Sequence, residues 1–255
     1  MSEVLSAPMA RRGMVTVLVL AICALALPAF AADAPAAAAP AADAAKAAPA
    51  GDAAAAAGNT EKLAIKLPEP AFGGTPLNYF GPNLEPPNFK PRAPFLAPKG
   101  TTLLSKGKTV TASSETTMGK LEQITDGDKE AYEKGVVELK PGKQWVQVDL
   151  GATSEIWAVV MWHFFAYDRV YFDVVVQVSD DPEFAKDVKT IYNNDHDNTS
   201  GMGAGTDKEY VENYEGRLID AKGVKGRYVR FYSKGNTTDA ANHYIEVEIY
   251  GKPAA

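Results

Sequence analysis

The chain holds a single cysteine, Cys23, inside an apolar run near the N-terminus. Everything downstream must therefore fold without disulfides and react without a thiol nucleophile. Positive charge is also in deficit, with 26 Lys and Arg against 32 Asp and Glu and a net charge of -6. With no basic stripe there is no case for nucleic acid. No second apolar span follows the first, so the mature chain has no membrane span. There is no Gly-x-Ser-x-Gly elbow, no His-Glu-x-x-His and no phosphate loop, which leaves catalysis without a motif. Two carboxylates meeting from distant strands could still make a hydrolase. No internal repeat occurs, and helical periodicity is not sustained anywhere.

The N-terminus reads as a secretory signal. Arg11 and Arg12 open it, residues 14–27 form the apolar stretch, and Pro28 with Ala29-Phe30-Ala31 supplies the break and cleavage site. The stretch is short of the ~20 residues that a bilayer demands, and Ile22 before Cys23 argues against a lipid anchor. The reading divides the chain into a signal peptide at 1–31, a disordered Ala/Pro-rich tether at 32–59, an extended segment at 60–99 and one globular module at 100–252. The tether has methyls and prolines but nothing to build a core. The extended segment mixes proline with Tyr79, Phe80 and Phe95, so it is expected to be irregular and to lie along a surface. The expected location is outside the cytoplasm: periplasm, cell envelope or beyond.

The module is organised around residues 144–151, Gln-Trp-Val-Gln-Val-Asp-Leu-Gly. Val146, Val148 and Leu150 fall on one face of a strand and Trp145, Gln147 and Asp149 on the other, with Gly151 closing it. Further strands are expected at 101–105, 108–113, 155–162, 169–179, 188–192, 227–233 and 244–250, and a polar insertion at 193–213. Many short strands with frequent turns predict an all-β sandwich or barrel.

Five ordered pieces then resemble a discoidin module (coagulation factor V/VIII type C) of the galactose-binding-like superfamily. They are Ile124-Thr125-Asp126-Gly127-Asp128, the run from Trp145 to Gly151, Val176-Gln177-Val178-Ser179-Asp180, Gly226-Arg227-Tyr228-Val229-Arg230, and the run from Ile245 to Gly251. The resemblance implies a jelly-roll β-sandwich. The stretch Asn193-Asn194-Asp195-His196-Asp197-Asn198 is similar to discoidin-like proteins of planctomycete and related bacteria.

The same resemblance, now to family 32 carbohydrate-binding modules, implies two sites. A structural Ca²⁺ would use Asp126, Asp128 and Glu246 with nearby carbonyls, although the same residues also make an ordinary Asp-Gly turn. A sugar would meet His163, Tyr167, Arg169, His196, Asn242 and His243 on loops, where polar groups serve hydroxyls and rings serve C–H faces. The loop at 193–198 offers alternating oxygen donors but lacks the Gly and Glu of an EF-hand. The function expected is an exported, non-catalytic carbohydrate-binding module with a cell-envelope glycan as partner. The alternatives are a structural or protein-interaction module of the envelope, and an unrecognised hydrolase.

Overall fold

The structure is a computed structural model that describes residues 58–71, 79–88, 90–132 and 134–254. The signal peptide and nearly all of the tether lie outside the described residues. The strands are β1 (Thr60–Lys62), β2 (Leu96–Pro98), β3 (Thr102–Leu103), β4 (Thr109–Ala112), β5 (Thr116–Met118), β6 (Val137–Leu139), β7 (Gln144–Trp162), β8 (Val175–Ser179), β9 (Lys189–Asn193), β10 (Arg217–Ser233), β11 (Asn242–Tyr244) and β12 (Glu246–Pro253). A 3₁₀ turn at Leu121–Thr125 is the one helical element among the described residues.

One sheet has the order β3-β12-β7-β10-β8-β9, with β4 also on β7, and every pairing is antiparallel. A second sheet runs β11-β6-β5. The two expected strands at 144–151 and 155–162 are one strand, β7. Gly151 takes φ 87 within it, a conformation open to glycine at little cost. The first half of β7 pairs with β4 and the end of β10, and the second half with β12 and the start of β10. Val146, Val148 and Leu150 from one half and Ile156, Val159 and Met161 from the other enter a single core. The large sheet therefore folds around that core and makes a sandwich with itself and the small sheet.

Residues 158–162 are apolar at every position because both faces are covered. Ala158, Val160 and Trp162 point away from the main core into a second cluster with Leu63 and Ala97. The described residues between 60 and 98 thus form a strap over the outside of β7, in the same compact unit as the sandwich. Its ends pair as β1 and β2, where irregular structure was expected. Arg92 donates to the carbonyls of Glu215 and Gly216, and Arg217 Nη1 lies 2.7 Å from Glu85 Oε1.

The strand expected at 169–179 begins only at Val175, because the preceding residues are held by other loops. Phe172 N donates to Gly235 O, Asn194 N to Val174 O, Thr237 N to Val170 O and Glu212 N to Arg169 O. Three loops, 163–174, 194–216 and 234–241, are knitted together this way at one end of the sandwich.

Candidate functional site

The looped end carries a polar rim built on Arg169, one of the residues singled out in the sequence. Its Nη1 donates to Asp239 Oδ2 at 3.0 Å and to His243 Nδ1 at 3.3 Å, and its guanidinium lies 4.7 Å from the ring centre of Phe164. The buried Nε–H has no partner. Arginine only donates, so Nδ1 of His243 is an acceptor and its proton sits on Nε2. That nitrogen then donates to Glu138 Oε2 at 3.1 Å, and the Tyr171 hydroxyl completes the contact at Nδ1. Burial, followed by the Arg169 charge, lowers the His243 pKa from its usual value, so the ring is neutral at pH 7. Tyr167 stands at the edge with 61 % of its surface exposed, 5.6 Å from Phe164 between ring centres. The rim therefore offers an exposed ring, a fixed cation with a free N–H and two anchored carboxylates.

Three of the six sequence candidates meet here: Tyr167, Arg169 and His243. Two others are corrected. His163 is fully buried, with Nδ1 2.7 Å from Glu212 Oε1 and its ring stacked on Tyr171, so no ligand reaches it. Asn242 is also fully buried. Its Oδ1 accepts from Ser233 and Gly235 and its Nδ2 donates to the carbonyls of Lys140 and Gly142, which exhausts its bonding capacity. Both residues belong to the core beneath the rim. His196 lies apart, in a separate cavity. Sequence reasoning missed Phe164, Asp239 and Glu138. Asp239 stands three residues before Asn242 and was open to notice, whereas Glu138 depends on β6, whose Val-Glu-Leu alternation is only three residues long and too short to read as a strand.

The expected calcium ligands divide. Asp126 Oδ1 accepts from Asp128 N and Asp128 Oδ1 from Glu130 N, so both exposed side chains bond within their own turn. Glu246 is buried. Its Oε2 accepts from Gly127 N, while Oε1 has no partner. Burial pushes its carboxyl up to about 9. A buried, orphaned carboxylate oxygen beside an acidic turn suits a hard cation, so the fit rests on Glu246 and on main-chain oxygens more than on the two aspartates. Asp126 and Asp128 are accordingly weaker candidates than the sequence implied. Among the described residues, the one acidic group that brings three ligand atoms together is Asp173, Asp195 and Asp197.

On the outer sheet face, Trp145 and Gln147 pack on Arg230. Its guanidinium lies 4.1 Å from the ring centres of both Trp145 and Phe184, while Nε donates to Gln147 and Nη2 to Pro182 O. With Nη1 donating to the Tyr232 hydroxyl at 3.3 Å, five neighbours satisfy this arginine, and the cluster reads as a brace.

The sequence profile of the F5/8 type C domain family matches residues 109–247, more than half of the chain. No curated protein matches the sequence. Among solved structures, a family 89 glycoside hydrolase from Clostridium perfringens is similar at 19 % identity and a TM-score of 0.45, over 60 % of this chain and 15 % of that one. Chitosan-binding module 1 from a chitosanase/glucanase of Paenibacillus sp. IK-5 is similar at 21 % identity and a TM-score of 0.38, over 59 % and 99 %. The family 32 carbohydrate-binding module of C. perfringens NanJ, solved with galactose, is similar at 10 % identity and a TM-score of 0.42, over 59 % and 98 %. The chain thus spans a small part of the hydrolase and nearly the whole of each isolated module.

Proposed function

The chain belongs to the F5/8 type C domain family, and from that premise we propose an exported, non-catalytic module that binds carbohydrate through the loops at one end of its sandwich. The observation that carries this is the Arg169 rim. The Arg169 guanidinium is anchored with its buried Nε–H unpartnered, a donor that binding would have to open before an acceptor such as a sugar hydroxyl could use it, and Tyr167, packed on Phe164, offers an exposed face for ring C–H groups. Asp239 and Glu138 complete the donors and acceptors that a pyranose needs. Both carboxylates are bonded, one to Arg169 and one to His243, so neither is a free acid facing another across a cleft as glycoside hydrolysis requires.

Calcium belongs to the same proposal, with Glu246 as its side-chain ligand and a structural role. Export rests on the signal sequence. No helix among the described residues is long and apolar enough to cross a membrane. A structural or protein-interaction module of the envelope is the second reading: Leu63 and Ala97 of the strap brace the sandwich, while Phe80 and Leu96 on the same segment are exposed.

A glycan array probed with the full chain and with Tyr167→Ala tests the proposal. The wild type should give a discrete set of sugars, and the variant should lose ~5-fold in affinity for them, as expected when a stacking contact of ~1 kcal/mol is removed. An array on which the folded wild type binds nothing overturns it.

A further inference from the structure

A cavity of about 370 Å³ opens at the same end of the sandwich as the rim. It lies within the ~300–1,000 Å³ range of small-molecule sites. Three loops and the strap wall it in. Phe172 and Asp173 come from the first loop, Asn194, His196 and Asp197 from the second, Lys234 from the third and Asn83 from the strap, with Glu209 at the base. The strap is fixed here by its backbone, since Glu209 N donates to Asn83 O and Glu85 N to Glu209 O. Tyr79 of the strap donates its hydroxyl to Glu209 Oε2 and packs on Phe172. Neither Tyr167, Arg169 nor His243 lines this space.

Two features set the cavity apart. Asn194 is 99 % buried, at 1 % exposure. Its Oδ1 accepts from Val174 N at 2.7 Å, which fixes the amide, and its Nδ2 is left without a partner on the cavity wall. His196 Nε2 is buried there and also unpartnered. The second feature is charge. Asp173, Asp197 and Glu209 line the space against one ammonium, Lys234, and Asp195 stands behind Asp197 within the same acidic group. Lys234 Nζ is itself held, 3.3 Å from Asp173 Oδ2 and donating to Thr199 O at 3.1 Å.

We infer that this cavity is a second saccharide site, completed by the strap, and that it takes a sugar bearing a free amine. The acidic lining favours a cationic ligand and disfavours an acidic one. The free N–H of Asn194 needs an acceptor, which a bare metal ion lacks and a sugar hydroxyl supplies. The Lys234 ammonium already neutralises Asp173, one of the three carboxylates that a metal would share. Phe172, half-buried, presents its ring to the C–H face of a pyranose. The ligand that brings a positive charge, hydroxyl acceptors and an apolar face together is an amino sugar. The inference rests on the carbohydrate-binding reading but on other residues than the rim.

The test is a site-resolved NMR titration of the full chain in chelator. The probes are a glucosamine trimer, its fully N-acetylated counterpart and, without chelator, CaCl₂ alone. The glucosamine trimer should shift the Asn194 side-chain amide, and the acetylated trimer should not. Asp197→Asn should weaken that binding ~10-fold or more, the usual scale for a charge-assisted hydrogen bond, as should Phe172→Leu. Tyr167→Ala should leave it unchanged. Equal shifts with both trimers refute the amine reading, and a shift with CaCl₂ alone makes this a cation site instead. If only the Tyr167 rim responds, the second site falls and the proposed function stands. If only Asn194 responds, the rim is wrong and the cavity stands.

Discussion

Glu246 gives the sharpest stability prediction. Its carboxyl is raised from 4.5 to about 9, first by burial and then by the neighbouring acids Glu248 and Asp126, against the opposing hydrogen bond from Gly127 and the charge of Lys129. Between those values the folded chain holds a proton that the unfolded chain has released. Stability from this group is therefore complete below pH 4.5 and declines as pH rises to about 9. Each pH unit costs ~1.4 kcal/mol, so roughly 3 kcal/mol disappears between pH 5 and pH 7 in the absence of a cation. Glu246→Gln keeps the acceptor for Gly127 N and has no proton to lose. In chelator the variant should be ~2–3 kcal/mol more stable than wild type at pH 7 and nearly equal to it at pH 5. Calcium should stabilise the wild type at pH 7 by mass action and leave the variant unchanged. Urea unfolding at both pH values, with chelator and with calcium, measures all four states. A variant less stable than wild type in chelator at pH 7 would refute the burial argument, and a calcium effect equal in both proteins would remove Glu246 as the ligand.

His163→Ala should lower stability by ~2–4 kcal/mol, because it opens the core and strands the buried Glu212, yet leave sugar affinity unchanged; a selective loss of binding at full stability would return His163 to the site. Gly216→Ala should lower the melting temperature, since Gly216 has φ 65 and an added Cβ would stand 2.6 Å from Trp162; a neutral result would refute that packing. His243, with its pKa held below the usual 6.5, contributes stability that is lost as pH falls below that value, and His243→Gln should flatten the acid limb of a pH–stability curve. Limited proteolysis should remove the Ala/Pro tether and stop short of β1, because Leu63 and Ala97 tie the strap to β7. Cleavage between Thr60 and Pro98 ahead of the tether would contradict the strap.

Much of the sandwich is legible in the sequence where one strand face is buried. The alternation around Val146, Val148 and Leu150 is a period-two signal, and it survives folding intact. Legibility fails where a strand is covered on both sides or is very short. Residues 158–162 look uniformly apolar because a distant segment, the strap, lies over them, and sequence order does not reveal that. The start of β10 is hidden by polar residues such as Arg217, Asp220 and Lys222, the last two of which face solvent. The histidines show the corresponding limit for sites. His163 and His196 both lie outside the strands, and chain position does not separate His163, inside the core, from His196, on a cavity wall. That distinction comes from Tyr171, Tyr244 and Glu212 closing over His163, contacts between residues far apart in the chain.

The most direct test of carbohydrate binding at the rim is the ¹⁵N signal of Arg169 Nε, followed while the full chain is titrated with a sugar from the array. The account predicts a saturable shift of that N–H, together with the ring signals of Tyr167, at the same midpoint as binding measured by calorimetry. Saturating binding that leaves Arg169 Nε and Tyr167 unmoved would contradict it.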